Sequence, residues 1–111
     1  MPVLFEVTDP RGKKVICSEE NWIDHVLYNH PNMEGSEADV AATIEAPSYS
    51  MIYQDKNYPE RNLYYRKQPK EYYIKAIVEF TEKQSGKLIT AFITDSPKPG
   101  EALIWTPQSR D

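Results

Sequence analysis

The spacing of apolar residues changes near Pro47, from a helical period to the alternation typical of strands. The first predicted helix begins after Ser18, a favourable N-cap, and ends at Pro31, and its apolar stripe consists of Trp22, Ile23, Val26 and Leu27. A second helix is predicted over residues 36–47, with a buried side formed by Val40, Ala41 and Ile44. The first half of the chain is therefore predicted to hold two consecutive helices.

Alternation with a period of two predicts the strands. After Pro47 the predicted strands are 49–53, 63–67, 72–81, 88–94 and 103–106, with a hairpin loop at 83–87. A short N-terminal hairpin is predicted from residues 3–7 and 14–17, on either side of the turn sequence Asp9-Pro10-Arg11-Gly12.

The predicted strand 72–81 has one almost wholly apolar face, formed by Tyr72, Ile74, Ala76, Val78 and Phe80. That face must meet a core, and the two helices are the elements available to cover it. We therefore predict an α+β fold in a single domain over residues 1–111, with two N-terminal helices packed on one face of a four- to five-stranded antiparallel sheet. The prediction buries three strand residues (Ile74, Ala76 and Val78) against three helix residues (Trp22, Val26 and Ile44) and leaves the second face of the sheet open.

The second face carries polar and aromatic residues suited to nucleic acid. The alternation places Tyr73, Lys75 and Thr90 on this face. In strand 63–67 both alternating faces mix aromatic and basic residues. Whichever face points outward therefore carries a tyrosine (Tyr64 or Tyr65) and a cation (Arg66 or Lys67). Aromatic rings stack on bases and cations neutralise phosphates, although tyrosine and threonine are also ordinary strand residues.

The two histidines are candidates for proton transfer. His25 lies more than about 100° from the centre of the apolar stripe, so it reaches solvent or a cleft, and His30 precedes Pro31, where the chain turns. The alternatives are a buried, hydrogen-bonded His25 and a His30 that caps helix carbonyls. The two histidines are five residues apart, whereas two helical histidines that share a metal are spaced i, i+4. The single Cys17 excludes an internal disulfide and a Cys-based zinc site. No metal and no cofactor are expected, and a reducing, cytoplasmic compartment is predicted.

Charge divides the chain into an acidic and a basic part. The net charge of −4 argues against indiscriminate nucleic-acid binding. Residues 17–47 contain seven acids and no Lys or Arg, whereas residues 48–90 contain eight bases and five acids. Either one face of the protein accepts an anionic partner that the other repels, or the division reflects ordinary solvated surface. The sequence has no apolar run approaching the roughly 20 residues of a membrane span, and no signal peptide or membrane partner is expected.

The run Trp22-Ile23-Asp24-His25-Val26-Leu27-Tyr28-Asn29-His30-Pro31 matches the pattern W-x-x-H-[IV]-x-x-x-H-P. Ala46-Pro47, Tyr64-Tyr65 and Ile89-Thr90-Ala91-Phe92 follow it, so the likeness covers about residues 18–106. These features resemble small phage and bacterial proteins of the barnase–EndoU–colicin–RelE (BECR) fold of metal-independent ribonucleases. The resemblance implies RNA cleavage by a 2′-hydroxyl on an exposed sheet face, toxin-like use and an inhibitor or antitoxin partner. His25, His30, Tyr65 and Thr90 match motif positions, but the acidic charge departs from the basic character of many toxin ribonucleases.

The sequence therefore predicts a metal-independent endoribonuclease-like domain that binds RNA. The expected catalytic residues are His25, Lys75, Arg66 and Thr90, with His25 at the edge of the open face near Lys75 and Thr90. The expected substrate-binding residues are His30, Tyr65, Tyr73 and Arg61. The alternatives are a non-catalytic module that binds nucleic acid or protein on the same face, and a phage-type inhibitor that uses its acid-rich helical side.

Overall fold

The computed structural model describes residues 2–45, 50–95 and 101–105. Its strands are β1 Val3–Thr8, β2 Lys14–Ser18, β3 Ser50–Gln54, β4 Arg61–Gln68, β5 Tyr72–Phe80, β6 Ser85–Thr94 and β7 Ala102–Trp105. They form one seven-stranded sheet in the order β1-β2-β6-β5-β4-β3-β7. Neighbouring strands are antiparallel except β2 and β6, which are parallel over three residue pairs.

The helical part of the chain is short. The first helix begins as one α-helical turn, α1 (Glu19–Asn21), capped by the Ser18 side chain, and continues as a π-helical segment, Trp22–Leu27. A 3-10 turn, Pro31–Met33, leads to α2, Glu37–Glu45, and a second 3-10 turn, Pro69–Glu71, connects β4 to β5. Ile23, expected on the buried stripe, is 58% exposed, because the wider π winding changes the number of residues per turn.

The predicted fold is wrong in its sheet. The sheet has seven strands and is mixed, whereas a four- to five-stranded antiparallel sheet was expected. The N-terminal hairpin joins the main sheet through the parallel pairing of β2 with β6, more than 60 residues along the chain. No short turn in the sequence connects these two strands, so no local signal predicts their pairing. The alternation of residues predicts which face of a strand is buried, but it does not predict which strand lies beside it. The loop between β5 and β6 comprises residues 81–84 rather than the predicted 83–87, since β5 ends at Phe80 and β6 begins at Ser85.

The core lies between the sheet and the helices. The expected burial is confirmed, because one buried cluster contains Ile74, Ala76 and Val78 of β5 together with Trp22, Val26 and Ile44. Ile52 of β3 and Tyr64 of β4 extend this cluster across the sheet. The alternation of β5 therefore assigns the helix-covered face correctly.

The second face of the sheet is not open at its centre, contrary to expectation. Leu63 and Tyr65 are fully buried there, and Lys75 is only 4% exposed. The reason is local: tyrosine rings pack edge to face across this surface, Tyr53 on Tyr65 and Tyr65 on Tyr73. The aromatic residues that predicted an open surface instead bury each other.

A buried polar network fixes the N-terminal hairpin to the sheet. Asp9 is 3% exposed, and its carboxylate accepts hydrogen bonds from the Arg11 guanidinium and from the Tyr64 hydroxyl at 2.7 Å. Arg11 also donates to the Asn62 side chain at 2.7 Å. Burial, followed by the charge of Asp9, raises the pKa of Tyr64, so its hydroxyl remains a donor.

Candidate functional site

A buried ion pair stands on the second face of the sheet. The Lys75 ammonium of β5 donates to Glu101 Oε2 at 2.9 Å, and the Tyr65 hydroxyl of β4 donates to Glu101 Oε1 at 2.5 Å. The side chains of Lys75 and Glu101 are 6% and 10% exposed. Burying two charges costs several kcal/mol of desolvation, so a buried pair is weak evidence for stability and a candidate for function.

Aromatic rings surround the ion pair because of the strand register. Tyr65, Lys75 and Phe92 are direct cross-strand neighbours on β4, β5 and β6. The Lys75 ammonium lies 5.3 Å from the Tyr65 ring centroid and 5.7 Å from that of Phe92, within the range of cation–π attraction. Tyr53 and Tyr73 flank Tyr65 with centroid separations of 5.2 Å and 6.2 Å.

His30, in the segment that follows the first helix, also contacts this cluster. Its ring stacks on Phe92 with centroids 4.9 Å apart and an interplanar angle of 27°. The backbone holds His30 in place, because its N–H donates to the Val26 carbonyl and its carbonyl accepts from Met33, a fully buried core residue. We name the assembled cluster the Lys75 site; it consists of His30, Tyr53, Tyr65, Tyr73, Lys75, Phe92 and Glu101.

The electrostatics of the Lys75 site favour a protonated Tyr53. Burial raises the pKa of Tyr53, and the neighbouring Tyr73 and Glu101 raise it further. The Tyr53 hydroxyl is therefore available as a hydrogen-bond donor. The Lys75 ammonium and the Tyr65 hydroxyl are donors that contact the Glu101 carboxylate.

His25 does not belong to the Lys75 site. Its side chain is exposed and lines a groove of about 650 Å³, between the first helix and the ends of β2 and β6. This His25 groove includes neither Lys75 nor Thr90, so the expected meeting of His25 with these two residues is not found. The physical reason is that the first helix packs on one face of the sheet, and Lys75 projects from the other.

Arg66 also departs from the expected arrangement. It pairs in register with Ile74, a core residue, so it belongs to the helix-covered face of β4, whereas Tyr65 and Lys67 belong to the face of Lys75. This resolves the choice that the mixed pattern of this strand left open: the tyrosine and the cation on the second face are Tyr65, which is buried there, and Lys67, which is exposed. Arg66 therefore does not share the face on which Lys75 lies.

Thr90 and Arg61 share the face of Lys75 but lie outside the cluster. Thr90 pairs with Ile77 on β5, and its buried hydroxyl makes no hydrogen bond to a described residue. Arg61 lies at the start of β4, where its guanidinium is 4.5 Å from the Tyr58 ring and 4.0 Å from the Glu79 carboxylate. Of the eight predicted site residues, the structure brings together four: His30, Tyr65, Tyr73 and Lys75.

Sequence reasoning missed three members of the Lys75 site: Tyr53, Phe92 and Glu101. Phe92 alternates with Thr90 and Thr94 on β6, which was a usable signal for its face. Glu101 follows the sequence Ser96-Pro97-Lys98-Pro99-Gly100, which has no periodicity that could assign it to a face. Ala46 and Pro47, which belong to the motif, and the expected strand end Thr106 lie outside the described residues.

Three observations concern possible ligands and relatives. Over residues 2–45, 50–95 and 101–105, no three His, Cys, Asp or Glu side chains come together as metal ligands. No helix in that part of the chain is long and apolar enough to cross a membrane. Comparison of the chain with protein-family models, curated proteins and solved structures gives no match. The likeness to the BECR fold therefore stays an expectation drawn from the sequence motif.

Proposed function

We propose that the Lys75 site binds single-stranded RNA and cleaves it by attack of a ribose 2′-hydroxyl on the adjacent phosphate. One observation carries the proposal. A carboxylate, an ammonium and an imidazole are linked through contacts on one aromatic-lined face, by Glu101, Lys75 and His30 respectively. These are the groups that such a reaction uses as base, electrostatic stabiliser and acid.

In the proposed step, Glu101 accepts the proton of the 2′-hydroxyl while that oxygen forms a bond to phosphorus. The bond between phosphorus and the 5′-oxygen breaks, and protonated His30 gives its proton to that leaving oxygen. The products are a 2′,3′-cyclic phosphate and a 5′-hydroxyl. One proton is taken up by Glu101 and one is given by His30, so the step balances without a further reactant.

The buried ion pair gives this step an electrostatic advantage. In the free protein, Glu101 compensates the charge of Lys75 at 2.9 Å. When Glu101 accepts a proton, it becomes neutral, and the charge of Lys75 is no longer compensated. That change coincides with the growth of negative charge on the phosphate oxygens, where a preorganised cation is most effective.

The surrounding residues suit RNA rather than a small phosphate ester. Tyr73 is half-buried at the border of the Lys75 site and is a cross-strand neighbour of the exposed Lys67. A stacked base contributes about 1–3 kcal/mol in single-strand binding, and an exposed lysine beside it can contact the backbone phosphate.

The proposal is tested by incubating the purified chain with a mixed-sequence single-stranded RNA in EDTA and analysing the products. Cyclic-phosphate ends are expected, and a substrate with 2′-deoxyribose at the cleaved position should remain intact. Glu101→Gln and His30→Ala should each reduce cleavage by about 100-fold or more, whereas His25→Ala should not. Circular dichroism checks that each variant is folded. Cleavage of the 2′-deoxy substrate, or full activity of Glu101→Gln, would overturn the proposed step.

A non-catalytic RNA-binding module is the second candidate. The low exposure of Lys75 and Glu101, 6% and 10%, favours it, because a reacting ribose must reach both groups. Salt-sensitive RNA binding without cleavage supports this candidate. Binding that is weakened by Tyr73→Ala would assign it to the same face.

A further inference from the structure

The His25 groove exists because two parallel strands separate. β2 and β6 pair only from Lys14–Ile16 to Ser85–Lys87. Beyond that point the Asn21 side chain donates to the Leu88 carbonyl at 2.8 Å, so a helix residue satisfies the strand backbone. The opening between the two strands is therefore a built feature, held by a specific hydrogen bond.

A bulge in β6 supplies part of the groove lining. Val78 of β5 pairs with Leu88 and Ile77 pairs with Thr90, so Ile89 has no cross-strand partner on β5. A bulge of this kind redirects a side chain, and Ile89 lines the groove. Val3 and Ile16, which are 50% and 38% exposed, add apolar surface from β1 and β2.

Acidic side chains outnumber lysines in the lining of the groove. Glu20 and Asp24 line it and are exposed, and neither carboxylate forms an ion pair with any described residue. Elsewhere in the fold, by contrast, Glu6, Asp9, Glu79 and Glu101 each have a Lys or Arg partner. The segment 17–47 contains no Lys or Arg, and the one lysine among the described residues of the groove lining, the exposed Lys87 of β6, forms no ion pair with either acid, so acids outnumber lysines there by two to one.

We propose that the His25 groove docks a short basic segment of a partner protein, with aliphatic side chains on the apolar lining and Lys or Arg side chains on Glu20 and Asp24. The excess of acids over lysines in this lining favours a basic segment over the phosphates of a nucleic acid. The apolar lining, formed by Val3, Ile16 and Ile89, selects a peptide over a simple polyamine. The volume of about 650 Å³ is within the range of clefts that bury a small ligand, so a few residues fill it.

The groove lies apart from the Lys75 site, so the two sites serve different partners. RNA occupies the second face of the sheet in the proposed function, and the peptide occupies the opening beside the first helix. This docking proposal does not depend on RNA cleavage, since its readout is peptide binding alone.

The test measures fluorescence anisotropy of a labelled nonapeptide of alternating Lys and Val, with an alternating Glu and Val peptide as its counterpart. The double variant Glu20→Lys/Asp24→Lys should weaken binding of the basic peptide at least tenfold. The matched control Glu34→Lys/Glu45→Lys makes the same change in net charge at exposed acids that do not line the groove and should weaken it less than threefold. Equal loss in both double variants would overturn the proposal, because it would reflect net charge alone.

Two further measurements examine the apolar part of the proposal. Val3→Asp, at an exposed position, and Ile89→Ser should each weaken peptide binding about fivefold or more, and amide shifts on peptide addition should centre on Ile16, Asn21 and Ile89. If Ile89→Ser fails to fold, peptide binding by Val3→Asp still tests the apolar lining. Binding that is indifferent to Val3→Asp, tight binding of the acidic peptide, or an RNA oligonucleotide that competes for the same amides would overturn it.

Discussion

The Lys75 ammonium and the Glu101 carboxylate meet at 2.9 Å across 26 residues of chain, and both side chains are at least nine-tenths buried. Glu101 is also hydrogen-bonded by Tyr65, so both of its carboxylate oxygens are occupied. Such a pair connects the start of β7 to the centre of the sheet. In the proposed reaction, the two members of this pair act as the base and the electrostatic stabiliser.

The pair should show strong energetic coupling. Lys75→Met alone should lower the free energy of unfolding by about 3–5 kcal/mol, because it leaves the Glu101 charge buried and uncompensated. The double variant Lys75→Met/Glu101→Leu should recover most of that loss, since it removes both charges together. Urea denaturation of the two single variants and the double variant measures the coupling. Additive losses would contradict the pairing.

The core assignment gives a second prediction. Ile74→Ala should lower the free energy of unfolding by about 2–5 kcal/mol, because Ile74 is 5% exposed and packs within the helix-covered core. Ile93 is its cross-strand neighbour on β6 and is 42% exposed. Ile93→Ala is therefore the matched control and should cost less than half as much. A comparable loss in both variants would show that burial does not separate these positions.

Burial raises the pKa of the Cys17 thiol to about 11, from 9.0, although a hydrogen bond with Asn21 lowers it. Between these two values the unfolded chain loses the thiol proton while the folded protein keeps it, so stability should fall as the pH rises from about 9 to about 11. The contribution of Cys17 is about 2–3 kcal/mol and is fully present below the lower value.

Chemical denaturation across this pH interval measures the effect of Cys17. Tyr64 gives a decline of the same sign, because burial also raises its pKa. The comparison with Cys17→Ala isolates the thiol, and the variant should show the shallower decline. Parallel curves for the two proteins would contradict the shift in the pKa of Cys17.

Local patterns carried much of the information about faces. The alternation along β5 identified the residues that meet the helices, because a strand that packs on one side must concentrate its apolar residues there. The same alternation placed Tyr73 and Lys75 together on the opposite face. What it did not reveal was that large rings on neighbouring strands bury this face at its centre.

Contacts between residues far apart in the chain could not be predicted from the sequence. The parallel pairing of β2 with β6 has no local signature, and this pairing turned the expected antiparallel sheet into a mixed one. The α-helical spacing predicted a buried Ile23. The segment Trp22–Leu27 is instead π-helical, with a different number of residues per turn, and Ile23 is exposed. His30 rather than His25 contacts the Lys75 site, because the chain after the first helix turns towards Phe92 on β6.

RNA cleavage by matched histidine variants tests the proposed function most directly. His30→Ala and His25→Ala are compared with the unaltered chain, on the same single-stranded RNA in EDTA. His30 stacks on Phe92 beside Lys75, whereas His25 lines the groove beside the first helix. The expected result is a loss of about 100-fold or more for His30→Ala and near-normal cleavage for His25→Ala. Cleavage that is lost with His25→Ala and retained with His30→Ala would contradict the assignment of the reaction to the Lys75 site.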